Sequence, residues 1–123
     1  MIELPEAAVL AKQINQTLTG KRIKQVIANQ SPHKFAWYSG DPARYNDRMA
    51  GKVIRGAEPF GGHLEIRVDD MLLVISTPVR YHARDEKLPK KHQLLVTFDD
   101  ESAISCTVQM WGALACFGEN EKS

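Results

Sequence analysis

The chain has 123 residues, 43% of them hydrophobic and 25% charged, with a formal net charge of +1 at pH 7. That length and apolar content fit one globular domain that buries a modest core without cross-links. No apolar run approaches the roughly 20 residues of a membrane helix, and the acidic N-terminus lacks the basic and apolar segments of a secretory signal, so a cytoplasmic protein with no membrane partner is expected. Cys106 and Cys116 are the only cysteines. Two are too few for a disulfide scaffold and neither has a partner at zinc-ligand spacing, so both are expected as free thiols in strands or core, with no metal site.

In chain order, the first element is a helix. Pro5 suits the first helical turn, Glu6 favours its positive end and Gly20 can stop it, while Ala7, Leu10, Ala11, Ile14 and Leu18 make one apolar stripe. Arg22 to Ala28 reads as a strand, and Lys34 to Tyr38 as a second, aromatic one. Asp41 caps a short helix that opens at Pro42 and runs to about Ala50, with Gly51 as its stop. From Lys52 the period becomes two: Leu64, Ile66 and Val68 point one way, His63, Glu65 and Arg67 the other. Asp69-Asp70 is a tight turn into Met71 to Ile75, apolar on both faces and therefore central in a sheet.

His92 to Phe98 and Ala103 to Gln109 form an expected hairpin around residues 99–102. In the second of these, read as the last strand, Ile104, Cys106, Val108 and Met110 form the apolar face; Ser105, Thr107, Gln109 and Trp111 share the polar side. Gly112 then makes a turn that either presents the Trp111 indole to a ligand or packs it beneath a loop. Several short strands with two helices predict a mainly β fold, a sandwich or barrel with flanking helices.

The neutral total hides an uneven charge distribution. Residues 80–92 hold Arg80, Arg84, Lys87, Lys90 and Lys91 against Asp85 and Glu86, whereas residues 93–123 hold Asp99, Asp100, Glu101, Glu119 and Glu121 against Lys122. Such a basic strip either meets phosphate or is an ordinary solvated loop.

Met1-Ile2-Glu3-Leu4-Pro5-Glu6, the segment Arg48-Met49-Ala50-Gly51-Lys52, Gly61 with Leu64, and Trp111-Gly112 follow one another in an order that resembles the N-terminal domain of the formamidopyrimidine-DNA glycosylase and endonuclease VIII family. The resemblance covers nearly the whole chain and implies a two-sheet β-sandwich with an N-terminal helix over residues 1–117, with 118–123 a polar tail or linker. It implies base excision repair of damaged double-stranded DNA: the terminal amine attacks the sugar C1′, a Schiff base forms, and β-elimination follows. An α-amino group with a pKa of roughly 7.7 to 8.0 suits that role better than an ordinary lysine.

By resemblance the catalytic positions are Ile2, Glu3 and Glu6. Ile2 stands where the family has its nucleophilic proline, and since Met1 is usually trimmed only before small residues, the expected terminus is Met1. The family's hairpin lysine corresponds to Gly62, with His63 one step on, read either as a substitute acid or as an exposed strand histidine. The DNA-binding positions are Arg80, near the family's inserted methionine, Lys90 and His92 at its phosphate-binding histidine, Gln109 at its loop arginine, and Trp111 at its aromatic wedge. No cofactor is expected here, because the family's zinc finger belongs to a C-terminal DNA-binding domain, which is expected in a longer native protein. Two readings stay open: a glycosylase and abasic-site lyase domain, or a non-catalytic DNA-binding module on the same fold. A protein-interaction domain that no longer touches DNA is the third.

Overall fold

The computed structural model describes residues 4–28, 36–39, 41–108 and 112–118. Helix α1 (Leu4–Thr17) comes first. Its Ala7, Ala11 and Ile14, with Leu18 just beyond, are buried, as the stripe predicts. Gly20 ends the turn after it at φ +93, a conformation that carries no penalty for glycine. Strands β1 (Ile23–Ala28) and β2 (Ala36–Ser39) follow. A single 3-10 turn, Pro42–Arg44, then leads into α2 (Tyr45–Met49). Asp41 caps that turn, its carboxylate accepting from the Ala43 N–H at 3.0 Å.

The remaining strands are β3 (Ile54–Phe60), β4 (His63–Val68), β5 (Met71–Ile75), β6 (Val79–His82), β7 (Leu94–Phe98), β8 (Ala103–Cys106) and β9 (Gly112–Gly118). One sheet has four strands in the order β1-β7-β8-β6; the other has five, in the order β2-β9-β5-β4-β3. All pairings are antiparallel except β2 with β9.

Register decides which side chains meet between the sheets. Val26 pairs with Val96, and Ile104 with both Val96 and Tyr81. In the larger sheet Leu64 pairs with Ile75, Ile66 with Leu73, Ile75 with Leu114 and Leu73 with Cys116. The buried aliphatic members of both sets form one core. Each large aliphatic side chain so buried contributes about 1.5 to 3 kcal/mol.

At one corner the sheets are stitched through backbone. Gly20 N–H donates to Ile54 O, Ile23 N–H to Lys52 O and Gly51 N–H to Ile23 O, each at 2.8 Å. Helix α1 is held to β3 by Asn15, whose amide takes the Ala57 N–H at 2.8 Å and donates to Ala57 O at 2.9 Å. This contact sits beside an irregularity in the β3–β4 register between Ile54 and Gly56. A Cβ on Gly56 would come within 3.1 Å of the Asn15 oxygen, so glycine leaves the room that this bond needs.

The two-sheet sandwich with its N-terminal helix is as expected, and β5 is central. Several details differ. The last strand is β9, which lies between β5 and β2; its Gly-Ala-Leu-Ala-Cys-Phe-Gly run carries no polar–apolar alternation to announce it. The hairpin strands are shorter than expected, β7 beginning at Leu94 and β8 ending at Cys106. Ser105, expected on a polar face, is buried. Residues 79–82, which include the first positions of the basic strip, form edge strand β6. Lys34 and Phe35 of the expected aromatic strand lie outside the described residues, as do residues 119–123 of the expected tail.

Candidate nucleic-acid interface

The outer face of the four-stranded sheet organises the basic strip. Register puts Arg80 opposite Ser105 and His82 opposite Ala103, while Ser105 also pairs Leu95. Residues directly paired share a face, so Arg80, His82, Leu95, Ala103 and Ser105 all point away from the core. His82, Leu95, Ala103 and Ser105 are nevertheless buried. The segment after β6 accounts for this, since Glu86 bonds the His82 ring and Pro89 lines a hollow together with Arg80, Ser105 and Thr107.

The strip's cations stay outside that seal. Arg80, Arg84, Lys87, Lys90 and Lys91 are exposed. None of Arg84, Lys87, Lys90 and Lys91 forms an ion pair or hydrogen bond with another described residue. Arg80 acts only at a distance, helping to hold the Glu86 carboxyl below its usual range, an effect due first to the His82 hydrogen bond.

His92 is different in kind from its neighbours Lys90 and Lys91. It is 5% exposed, and burial pushes its pKa below 6.5, so near pH 7 it is a neutral imidazole that offers hydrogen bonds rather than charge. Gln93, also buried, holds this stretch to the adjoining chain. Its N–H donates to Cys106 O at 2.9 Å, its side-chain oxygen takes the Val108 N–H at 2.6 Å, and its carbonyl accepts the Tyr38 hydroxyl at 2.7 Å. Gln93 therefore fixes the chain at Val108, the last described residue before Gln109.

Of the catalytic positions, Glu6 is described: it is exposed in the first turn of α1, where the helix dipole favours its carboxylate. Ile2 and Glu3 lie outside the described residues, as do Gln109 and Trp111. At the β3–β4 turn, Gly61 adopts φ +60 and Gly62 is exposed with no side chain to offer. His63 beside it is half-buried, stacks on Phe60 with centroids 5.4 Å apart and lies 3.5 Å from Glu65. Sequence reasoning passed over His82 and Gln93. The His82-to-Glu86 spacing was the one local signal for the first; Gln93 gave none.

Both cysteines are buried, and burial raises the Cys106 thiol to about 12. No cluster of three or more His, Cys, Asp or Glu able to hold a metal occurs among the described residues. A larger hollow of about 400 Å³ is lined by Asn15, Arg55, Glu58, Glu65 and Arg67, with balanced charge, and involves none of the strip.

The family model described as formamidopyrimidine-DNA glycosylase N-terminal domain matches residues 1–122. The chain belongs to this family. Among solved structures, MutM in complex with DNA containing carbocyclic 8-oxo-G is similar at a TM-score of 0.78 and 21% identity, over 94% of this chain and 44% of that one. The Lactococcus lactis Fpg with abasic-site DNA gives 0.79 and 21%, over 94% and 44%. The same organism's enzyme with DNA containing an oxidized pyrimidine gives 0.80 and 20%, over 96% and 45%. At those identities the likeness is one of fold, and the chain spans under half the length of these glycosylases. No curated protein matches the sequence. No helix among the described residues is long and apolar enough to cross a membrane.

Proposed function

We propose that this family domain serves base excision repair by binding damaged double-stranded DNA, with its unpaired basic strip facing the phosphates. The supporting observation is the absence of ion-pair partners among described residues for Arg84, Lys87, Lys90 and Lys91, on a fold whose solved relatives are complexes with lesion-containing DNA. Exposed cations release condensed counterions when they meet phosphate, and that release drives association. In a longer polypeptide a second domain would close on the same DNA, as the length of the relatives suggests.

In the catalytic reading, the terminal amine forms a bond to C1′ as the N-glycosidic bond breaks. The departing base takes a proton from an acid at Glu3, the C1′–O4′ bond then opens as O4′ is protonated and the imine forms, and loss of the C2′ proton from that imine expels the 3′ phosphate. Two features favour the second reading, a binding module without turnover. Ile2 replaces the family's proline, so retention of Met1 would shift the amine by about 3.8 Å along the chain, where a misplacement of roughly 1 Å can already cost a hundredfold. Gly62 replaces the hairpin lysine and has no proton to give.

Intact-mass analysis after incubation with abasic-site duplex and borohydride separates the two. A covalent adduct at the N-terminus makes the chain an enzyme domain. Binding without an adduct makes it a recognition module, and neither binding nor adduct removes the DNA reading.

A further inference from the structure

The His82 ring sits between two partners that tie strand, loop and neighbouring strand together. Its Nδ1 lies 3.0 Å from the Glu86 carboxylate and its Nε2 lies 2.7 Å from the Ser105 hydroxyl. An ionised carboxylate only accepts, so Nδ1 carries a proton, and in the neutral ring Nε2 takes the Ser105 O–H. Glu86 reaches further, its second oxygen 3.5 Å from the Ala83 N–H, and the Glu86 N–H donates to Ala83 O at 3.0 Å. The order serine, histidine, carboxylate is that of an activated nucleophile. Ser105, however, is only 3% exposed at the floor of the hollow it shares with Arg80 and Pro89, and its hydroxyl is engaged by the ring, which fits a structural tie.

We propose that Glu86, His82 and Ser105 are positioning residues: they form a clamp that folds the segment after β6 onto the outer face of the sheet and so aligns Arg84, Lys87, Lys90 and Lys91 along one surface. This deepens the DNA-binding reading and rests on it for the ligand, a polyanionic duplex. Residues 83–93 contain no regular secondary structure. Their described anchors are Glu86 near the start and Gln93 at the end, with four unpaired cations between or beside them. Unclamped, these cations would have to be ordered at the moment of binding, which costs affinity.

The clamp makes a prediction whose sign opposes simple electrostatics. Asp85 and Glu86 are adjacent exposed acids, and removing either from a basic surface should tighten DNA binding by charge alone. Asp85 has no partner among the described residues, so Asp85→Ala should tighten binding of a fluorescent duplex about twofold. Glu86→Ala should weaken it at least roughly threefold, and Glu86→Gln, which keeps an acceptor for Nδ1–H, should stay within about twofold of the unaltered protein. In a parallel experiment without DNA, Glu86→Ala and Ser105→Ala should raise tryptic cleavage after Arg84 and Lys87 about tenfold, with Glu86→Gln protected. If Asp85→Ala and Glu86→Ala tighten binding alike, or cleavage is unchanged in both clamp variants, the clamp is wrong. If the unaltered protein binds no duplex, the DNA reading fails by itself, and the cleavage rates still decide whether the clamp exists.

Discussion

Two regions of this molecule carry similar numbers of cations and put them to opposite uses. At the corner where α1, β1 and β3 meet, Lys21 pairs with Asp100, Lys24 with Glu101, Lys52 with Asp70 and Arg55 with Asp69. Along the segment after β6, Arg84, Lys87, Lys90 and Lys91 pair with no described residue. The first set neutralises itself and holds the turns at 69–70 and 99–102 to the backbone stitch between the sheets. The second leaves its field directed outward. A net charge of +1 therefore sums a self-satisfied corner and an unsatisfied strip, and only their spatial separation makes the strip informative.

Trp111 follows the chain that Gln93 anchors at Val108. If its ring stacks on a base, Trp111→Ala should cost about 1 to 3 kcal/mol of duplex affinity in a fluorescence titration. Unchanged affinity would confine the interface to the cations.

At the corner, Lys21→Met should lower stability by under about 1 kcal/mol in urea denaturation and leave duplex affinity untouched. A loss of DNA binding would mean that the corner is not self-satisfied after all.

Acid should act on the two regions at different pH. The carboxyl of Asp100 is held well below its usual 3.8, first by the Lys21 hydrogen bond and then by Ser102. Asp69 is lowered first by the Val53 N–H and then by Arg55, and Asp70 first by Lys52. A depressed folded pKa contributes stability that is present above the unfolded value and lost as pH falls through the folded one, so these groups should weaken the fold below about pH 4. His92 adds an earlier, smaller loss: its folded pKa lies below 6.5, the unfolded chain takes the proton first, and stability declines as pH falls from about 6.5. Thermal midpoints between pH 7 and 3 would show both stages, and a midpoint that holds constant to pH 3 would contradict them. The smallest effect expected is at Cys106, whose thiol burial raises to about 12: a thiol reagent at pH 8 should leave it unmodified in the folded protein, and rapid modification would show that β8 opens.

Much of the fold was legible because it rests on periodicity. The stripe from Ala7 to Leu18 and the alternation of Leu64, Ile66 and Val68 are local patterns, and both led to buried faces. Strand β9 was not legible, because its Gly-Ala-Leu-Ala-Cys-Phe-Gly run, paired to a strand on each side, contains no polar residue to mark an alternation. The site was partly legible. The cations of the strip stand out in the sequence, but their lack of partners emerges only when the corner's pairs, separated by as many as 79 positions, are known. His82 and Ser105 are 23 positions apart, and nothing in either residue's own neighbourhood announces that each is buried against the other. The resemblance supplied Ile2, Glu3, Gln109 and Trp111 as site positions, and these lie outside the described residues.

The most direct test of the account measures duplex binding across salt concentrations for two variants of matched charge change. One replaces Arg84, Lys87, Lys90 and Lys91 with alanine; the other replaces Lys21, Lys24, Lys52 and Arg55. The strip variant should lose roughly 3 to 4 units of the slope of log affinity against log salt, about 0.9 per phosphate contact, while the corner variant should keep its slope. Equal losses in both variants would mean that DNA senses only net charge, and would contradict the division of labour between corner and strip.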